Sequence, residues 1–136
     1  MEADCLIAGT LASSGAAHDL LDLWEDGRFE LIACPNIIYE VEKSLRHPRI
    51  ANKYGITQQE AKSFGHRLSE EGMLVNDPKN PPRIVPDDPN DDYLIALGLG
   101  TEASFLVTRD HHFAKVRIPS LPIVSPRQML DRLRDG

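Results

Sequence analysis

Five acidic residues fall where the local pattern puts strand ends and helix starts, positions from which carboxylates can meet around a divalent cation. Asp110 directly follows the run Ser104-Phe105-Leu106-Val107 and its Thr-Arg pair, so it projects from the end of a predicted strand. Ligands of open parallel sheets gather outside the carboxyl ends of the strands. Asp91 opens a predicted helix after a long loop, where the helix dipole favours a carboxylate. Glu2 and Asp4 lie two residues apart and share one face if the segment is extended. Glu40 comes three residues after Ile37 and one before Val41, at the flank of an apolar helical stripe. From that flank a carboxylate can reach the sheet edge without entering the core.

Carboxylate oxygens are hard ligands suited to magnesium or manganese. Gathering several of them is unfavourable through mutual repulsion unless a cation offsets it. A pair of such ions about 3.5–4 Å apart is the usual machinery for in-line attack on a phosphodiester. Each acid also has a plainer reading. Glu40 fits an exposed helix position, Asp91 a dipole partner, Asp110 the start of a turn, and the first two acids a frayed terminus. Only their joint placement points to one site.

The elements that must position these acids alternate along the chain. A helix is predicted from about Gly15 to Glu25, with Ala17, Leu20, Leu21 and Trp24 at i, i+3, i+4 and i+7. Asp26-Gly27 then turns the chain, and Phe29 to Cys34 reads as a short buried strand. Pro35 opens a second helix carrying Ile37, Ile38, Val41 and Leu45, which ends before Pro48. Thr57 with Glu60 forms a capping box for a third helix with inner residues Ala61, Phe64 and Leu68 and a stop at Gly72. Met73-Leu74-Val75 is a brief strand. Asn76 to Pro89 holds five prolines and must be a loop. Asn90 is placed to cap a fourth helix with Tyr93, Leu94 and Leu97 inward, closed by Gly98 to Gly100. Ser104 to Val107 and Ile123-Val124 are strands. Ser125 to Gln128 is a second capping box, with proline at N1, for a last helix bearing Met129, Leu130 and Leu133. This alternation predicts an α/β fold with a parallel sheet.

Bulk properties narrow the function classes. A length of 136 residues fits one domain over 1–136. Net charge is −6, which argues against a protein that coats nucleic acid but not against an enzyme that brings cations to a cluster of acids. No apolar run approaches the ~20 residues of a membrane span, and no signal-peptide pattern opens the chain, so a cytoplasmic protein is expected. Cys5 and Cys34 lack CxxC spacing and read as plain buried thiols.

The stretch DDPNDDYLIALGLGTEASFLVTRD, from Asp87 to Asp110, resembles the segment of the PIN-domain family in which one acid opens a helix and a second closes a V-T-x-D strand. LIACPNIIYEVEKSL, from Leu31 to Leu45, resembles the strand–helix unit carrying that family's glutamate. EADCLIAGTLASSGAAHDLLDLW resembles its opening D-x-N segment and first helix, and LPIVSPRQML its last strand and helix. The resemblance therefore covers nearly the whole chain. It implies a three-layer α/β/α sandwich around a short parallel sheet. It further implies a magnesium- or manganese-dependent ribonuclease acting on single-stranded RNA, of the kind found as toxins beside an antitoxin protein, and a homodimer.

By the same resemblance Glu2 or Asp4, Glu40, Asp91 and Asp110 are the metal and catalytic acids, with Asp92 as neighbour or substitute for Asp91. Thr108 would hydrogen-bond a ligand or the scissile phosphate. One departure stands out. Glu2 occupies the place of the family's leading aspartate and only Met1 precedes it, so either the start lies upstream or Asp4 takes over the ligand role.

Other residues invite comparison. Arg46, His47, Arg49, Lys53, Lys62, His66 and Arg67 make the middle of the chain basic, as RNA contacts or as a solvated face. Arg109, His111 and His112 surround Asp110, where adjacent histidines usually form polar surface. Glu2-Ala3-Asp4 superficially resembles the DxD of aspartate-nucleophile phosphatases, but glutamate is a poor stand-in for the acyl-phosphate acid and no lysine follows a late strand. The main rival to an enzyme is a catalytically impaired PIN-like module that binds RNA or a protein.

Overall fold

The computed structural model describes residues 1–79, 89–110, 113 and 116–135, with backbone alone for 89–91. The described residues form helices α1 (Ala3–Leu11), α2 (Ala16–Glu25), α3 (Pro35–Arg46), α4 (Pro48–Tyr54), α5 (Gln58–Glu71), α6 (Pro89–Gly100) and α7 (Pro126–Asp135). Their strands are β1 (Ile32–Ala33), β2 (Met73–Leu74), β3 (Leu106–Val107) and β4 (Ile123–Val124).

Local chemistry accounts for most of these boundaries. In α5 the Glu60 N–H donates to Thr57 Oγ1 at 3.0 Å, and the Thr57 N–H returns a bond to Glu60 Oε1 at 3.2 Å. Ser125 and Gln128 make the same reciprocal pair ahead of α7, at 2.8 and 3.1 Å. Proline opens α3 and α4 at the position where a missing N–H costs nothing. His47, held extended at ψ 132 by the following proline, separates these two helices. Gly72 ends α5 in an extended conformation. It serves for its lack of bulk, because a Cβ there would sit 2.5 Å from the Leu68 carbonyl oxygen and 3.0 Å from that of Leu31.

β1 and β2 pair in parallel with Ile32 opposite Met73, and β3 and β4 pair in parallel with Leu106 opposite Ile123. Single backbone bonds extend both ladders, from Val75 N to Ala33 O and from Thr108 N to Val124 O, each 2.9 Å. The Glu2 N–H donates to Val107 O at 2.9 Å, so the first residues add one rung beside β3 before turning into α1. The expected single sheet is thus, among the described residues, two parallel pairs. A cavity of about 450 Å³ lies between them, lined by Met1, Leu31 and Ile32 on one side and Leu106 and Val107 on the other.

Apolar residues of the helices close over both faces of β3. Leu106 belongs to the larger core cluster, with Leu6 of α1, Ile37 and Val41 of α3, Leu68 of α5 and Ile95 of α6. Its neighbour Val107 belongs to a second cluster, with Leu20 of α2, Val124 of β4 and Leu130 of α7. Successive strand residues point to opposite faces, so two adjacent positions serve two cores.

The structure corrects several expectations. Ala3–Leu11 is helical, so Glu2 and Asp4 do not share a face by strand alternation. The chain leaves the β3 edge after one rung and buries Cys5, Leu6 and Ile7 as a helix. The strands predicted over Phe29 to Cys34, Met73 to Val75 and Ser104 to Val107 shrink to two residues each. α4 was not expected, since it buries no residue and leaves no apolar stripe to read. α6 starts at Pro89, one residue before the predicted cap, and Ile95 joins its buried face. The predicted loop from Asn76 to Pro89 lies mostly outside the described residues.

Candidate active site

Glu2 stands at the N-cap of α1, held extended by its bond to Val107, and is only 9% exposed. A buried carboxylate needs donors. One comes from Thr108, 106 positions away in the chain, whose hydroxyl donates to Glu2 Oε2 at 2.8 Å. The same Thr108 oxygen accepts the Asp110 backbone N–H at 3.0 Å. A relay therefore runs from the Asp110 backbone through the Thr108 hydroxyl to the Glu2 carboxylate. It fixes the start of the chain to the end of β3 and orients the Glu2 side chain.

Asp4 follows on the first turn of α1 and is exposed. Glu40, half-buried on α3, has its carboxyl raised above the ordinary range. The causes are burial first, then the negative charge of Asp4, with Lys43 opposing. Two carboxylates that feel each other in this way sit close enough for a shared cation to relieve both. Asp110, half-buried just beyond β3, completes the set. Glu2, Asp4, Glu40 and Asp110 all line one cavity, together with Lys43, His47 and Arg49. A second cavity shares Glu2, Asp4 and Asp110 and continues to Arg109 and Tyr54.

The other predicted residues fall elsewhere. Asp92, near the start of α6, is 1% exposed and lines neither cavity. For Asp91 the structure describes the backbone, in the first turn of α6, while its side chain lies outside the described residues, as do His111 and His112. Among the predicted basic residues, His47 and Arg49 reach the acids. Arg67 is committed elsewhere, 2.8 Å from Glu25, 3.3 Å from Glu71 and over the Trp24 ring. His66 pairs with Glu70 at 3.5 Å.

Among the described residues, only His18, Asp19 and Asp22 bring three ligand atoms within 4.8 Å of one another. Glu2, Asp4, Glu40 and Asp110 are more widely spaced. Their chemistry nevertheless fits a hard cation: all the donors are oxygens, and magnesium usually keeps several waters and takes only one or two carboxylates directly. An open ring of acids suits that habit better than a closed cage does.

Sequence reading missed three features of this site. The Glu2–Thr108 bond leaves no local signal, because its partners meet only through the fold. Lys43 was not considered. Tyr54 was overlooked because its helix was. The cysteines lie deep: burial, with help from Glu2, pushes the Cys5 thiol up to about 11, and burial raises Cys34, whose sulfur lies 2.8 Å from the Tyr93 hydroxyl. No helix among the described residues is long and apolar enough to cross a membrane.

A family model described as PIN domain matches residues 1–112. No curated protein and no solved structure gives a match.

Proposed function

The chain belongs to the PIN-domain family, whose members are generally nucleases, and from that premise we propose that it is a magnesium- or manganese-dependent endoribonuclease acting on single-stranded RNA. The observation that carries this reading is the convergence of Glu2, Asp4, Glu40 and Asp110, from three distant parts of the chain, on one cavity. In this reading residues 1–136 are one domain, and the two strand pairs are halves of a short central sheet in an α/β/α sandwich. The two-sided burial of Leu106 and Val107 supports that arrangement.

Glu2, Asp4 and Asp110 are assigned as ligands of the cation, with Asp91 as the acid that α6 can add and the buried Asp92 as its neighbour. A divalent cation bound there supplies charge neutralisation for the scissile phosphate and acidifies an attacking water. Glu40 acts as ligand or as orienter of that water. Its raised carboxyl suits it to accept a proton, since proton acceptance improves as the acceptor's pKa approaches the working pH. Thr108 holds the Glu2 carboxylate in one orientation, so the site loses little freedom on loading. Bond cleavage displaces one phosphodiester oxygen as the water oxygen joins phosphorus, and the water proton passes to Glu40 or to solvent.

We further assign the protein a cytoplasmic location, a toxin role beside a cognate antitoxin protein, and a homodimeric state. The location rests on the sequence expectation of no membrane span or signal peptide, and the toxin role on analogy with the family. Met73 and Leu74, exposed side by side on β2, support self-association, because an apolar strand edge favours pairing.

The test is cleavage of single-stranded RNA by purified protein in magnesium or manganese, with Glu40→Gln and Asp91→Asn as controls. The reading expects cleavage that stops in chelator and in both variants. Equal cleavage in chelator overturns the metal mechanism. Tight RNA binding without cleavage in either metal makes the protein a binding module instead. A small DNA-binding protein encoded in the adjacent frame is the observation expected of a toxin.

A further inference from the structure

α4 buries none of its seven residues. A helix this short is marginal in water, and an apolar face packed on the core is the usual source of its stability. α4 lacks such a face and is held at its ends, by the His47 ring accepting the Arg49 N–H and by Gly55 closing it at φ 66. Arg49 and Ile50 line the cavity that contains Glu40, while Tyr54 lines the neighbouring one. Glu2, Asp4 and Asp110 belong to both cavities, so the two ends of α4 border different cavities that share these carboxylates.

The two flanks differ in chemistry. On the Arg49 side, Lys43 and His47 join it, and the His47 Nδ1 is occupied as an acceptor, which leaves Nε2 as the donor of the neutral ring. On the Tyr54 side the wall is Ala8, Leu11, Arg109 and the tyrosine ring, 47% exposed, with the Lys53 ammonium 5.3 Å from its centroid. Cations suit phosphates. An exposed aromatic ring over an apolar floor suits a nucleobase, whose π-face stacks without regard to sequence.

We propose that α4 is the substrate-positioning element of the site: Tyr54 stacks a base on one side of the bond to be cut, while Arg49 and His47 hold backbone phosphates on the other. The proposal rests on the nuclease reading and adds a base contact to it, since a strand lying across the acids meets the Tyr54 ring in one cavity and Lys43, His47 and Arg49 in the other. It also separates the basic residues of the middle segment into two kinds. Arg49 and His47 face the acids, whereas Arg67 and His66 are bound to glutamates elsewhere.

The experiment is fluorescence anisotropy with an end-labelled single-stranded oligoribonucleotide, in an Asp110→Asn background so that the strand survives. Tyr54→Ala is expected to weaken binding about tenfold, the scale of one stacked base, while Tyr54→Phe stays within about twofold of its parent. Arg49→Ala is expected to weaken binding and to flatten its salt dependence, as loss of a phosphate contact does. Far-UV circular dichroism checks that each variant is folded. Undiminished binding by folded Tyr54→Ala overturns the proposal. The nuclease reading fails separately. If the native protein cleaves RNA in manganese and Tyr54→Ala, with Asp110 intact, cleaves with unchanged KM, the subsite is wrong and the nuclease stands. If binding depends on Tyr54 but no metal supports cleavage, the subsite stands and the nuclease falls. Absence of RNA binding in the Asp110→Asn parent, together with no cleavage by the native protein in either metal, overturns both.

Discussion

Two regions of the molecule collect acids, and they do so in opposite ways. On α2, His18, Asp19 and Asp22 come together through helical spacing alone, on a solvated surface. Each acid there has a nearby nitrogen partner: Asp22 lies 3.4 Å from the His18 ring, and Asp19 lies 3.6 Å from the Arg134 guanidinium. At the ends of the strands, Glu2, Asp4, Glu40 and Asp110 come from distant segments. Glu2 is buried, and Glu40 is held above its ordinary range by burial and by Asp4. The α2 group has the tighter geometry, and Arg134 offsets one of its acids. The strand-end group has the looser geometry, yet there the charge of Asp4 is felt by Glu40 despite Lys43. Folding tolerates such crowding where something outside the chain relieves it, which makes proximity alone a poor guide to a cation site.

The sharpest way to break this contrast is to neutralise each group in turn. Asp110→Asn, Asp4→Asn and Glu40→Gln should each lower RNA cleavage by about 10²–10³, the scale of losing one preorganised charge at a reacting centre. Asp19→Asn and Asp22→Asn should leave the rate within about twofold, as surface changes away from the chemistry do. Single-turnover cleavage in manganese measures both. A large loss from Asp22→Asn alone would move the site to α2.

A second contrast concerns what holds each region. Thr108→Val removes a donor from a buried carboxylate and should cost about 1–3 kcal/mol in urea unfolding, with Thr108→Ser restoring most of it. Arg134→Ala, which breaks an exposed pair on the α2 side, should cost no more than ~1 kcal/mol. Equal losses would mean that the Thr108–Glu2 bond is no more structural than a surface contact.

Much of the framework was legible because it is written locally. Both capping boxes, Thr57 with Glu60 and Ser125 with Gln128, form as their spacing requires. The stripe of Leu20, Leu21 and Trp24 is buried as its period demands. What stayed hidden depends on tertiary placement. α1 reads as neither strand nor helix from its opening residues, because both of its sides are apolar and Ala3, Cys5, Leu6 and Ile7 are all buried. α4 is silent for the opposite reason, having no buried residue. At the site, the acids themselves could be picked out by position. The 2.8 Å bond tying Glu2 to Thr108, and the presence of Tyr54 beside Asp4, exist only once residues far apart in sequence meet.

A smaller effect sharpens the electrostatic half of the contrast. Because the folded protein raises the Glu40 carboxyl above its unfolded value, the native state holds that proton more tightly, and stability falls as pH rises through the interval between the two values. In chelator, Glu40→Gln should therefore raise Tm at neutral pH, and the gain should vanish once pH drops below the ordinary carboxylate range. A neutral-pH Tm lowered by Glu40→Gln would mean that the ionised carboxylate stabilises the fold.

The smallest effect is an expected silence. With Cys5 pushed up to about 11 and both thiols buried, neither cysteine should react with a thiol reagent in the native protein near neutral pH, and both should react after unfolding. Rapid native labelling would show that the strand-end region opens readily.

Manganese binding followed by electron paramagnetic resonance tests the central claim most directly, because it reads the cation and not its consequences. Saturable loss of the free-ion signal is expected with the native chain and with Asp19→Asn and Asp22→Asn, and it should weaken sharply with Asp4→Asn and Asp110→Asn. Binding that survives Asp4→Asn and Asp110→Asn but disappears with Asp22→Asn would contradict the account.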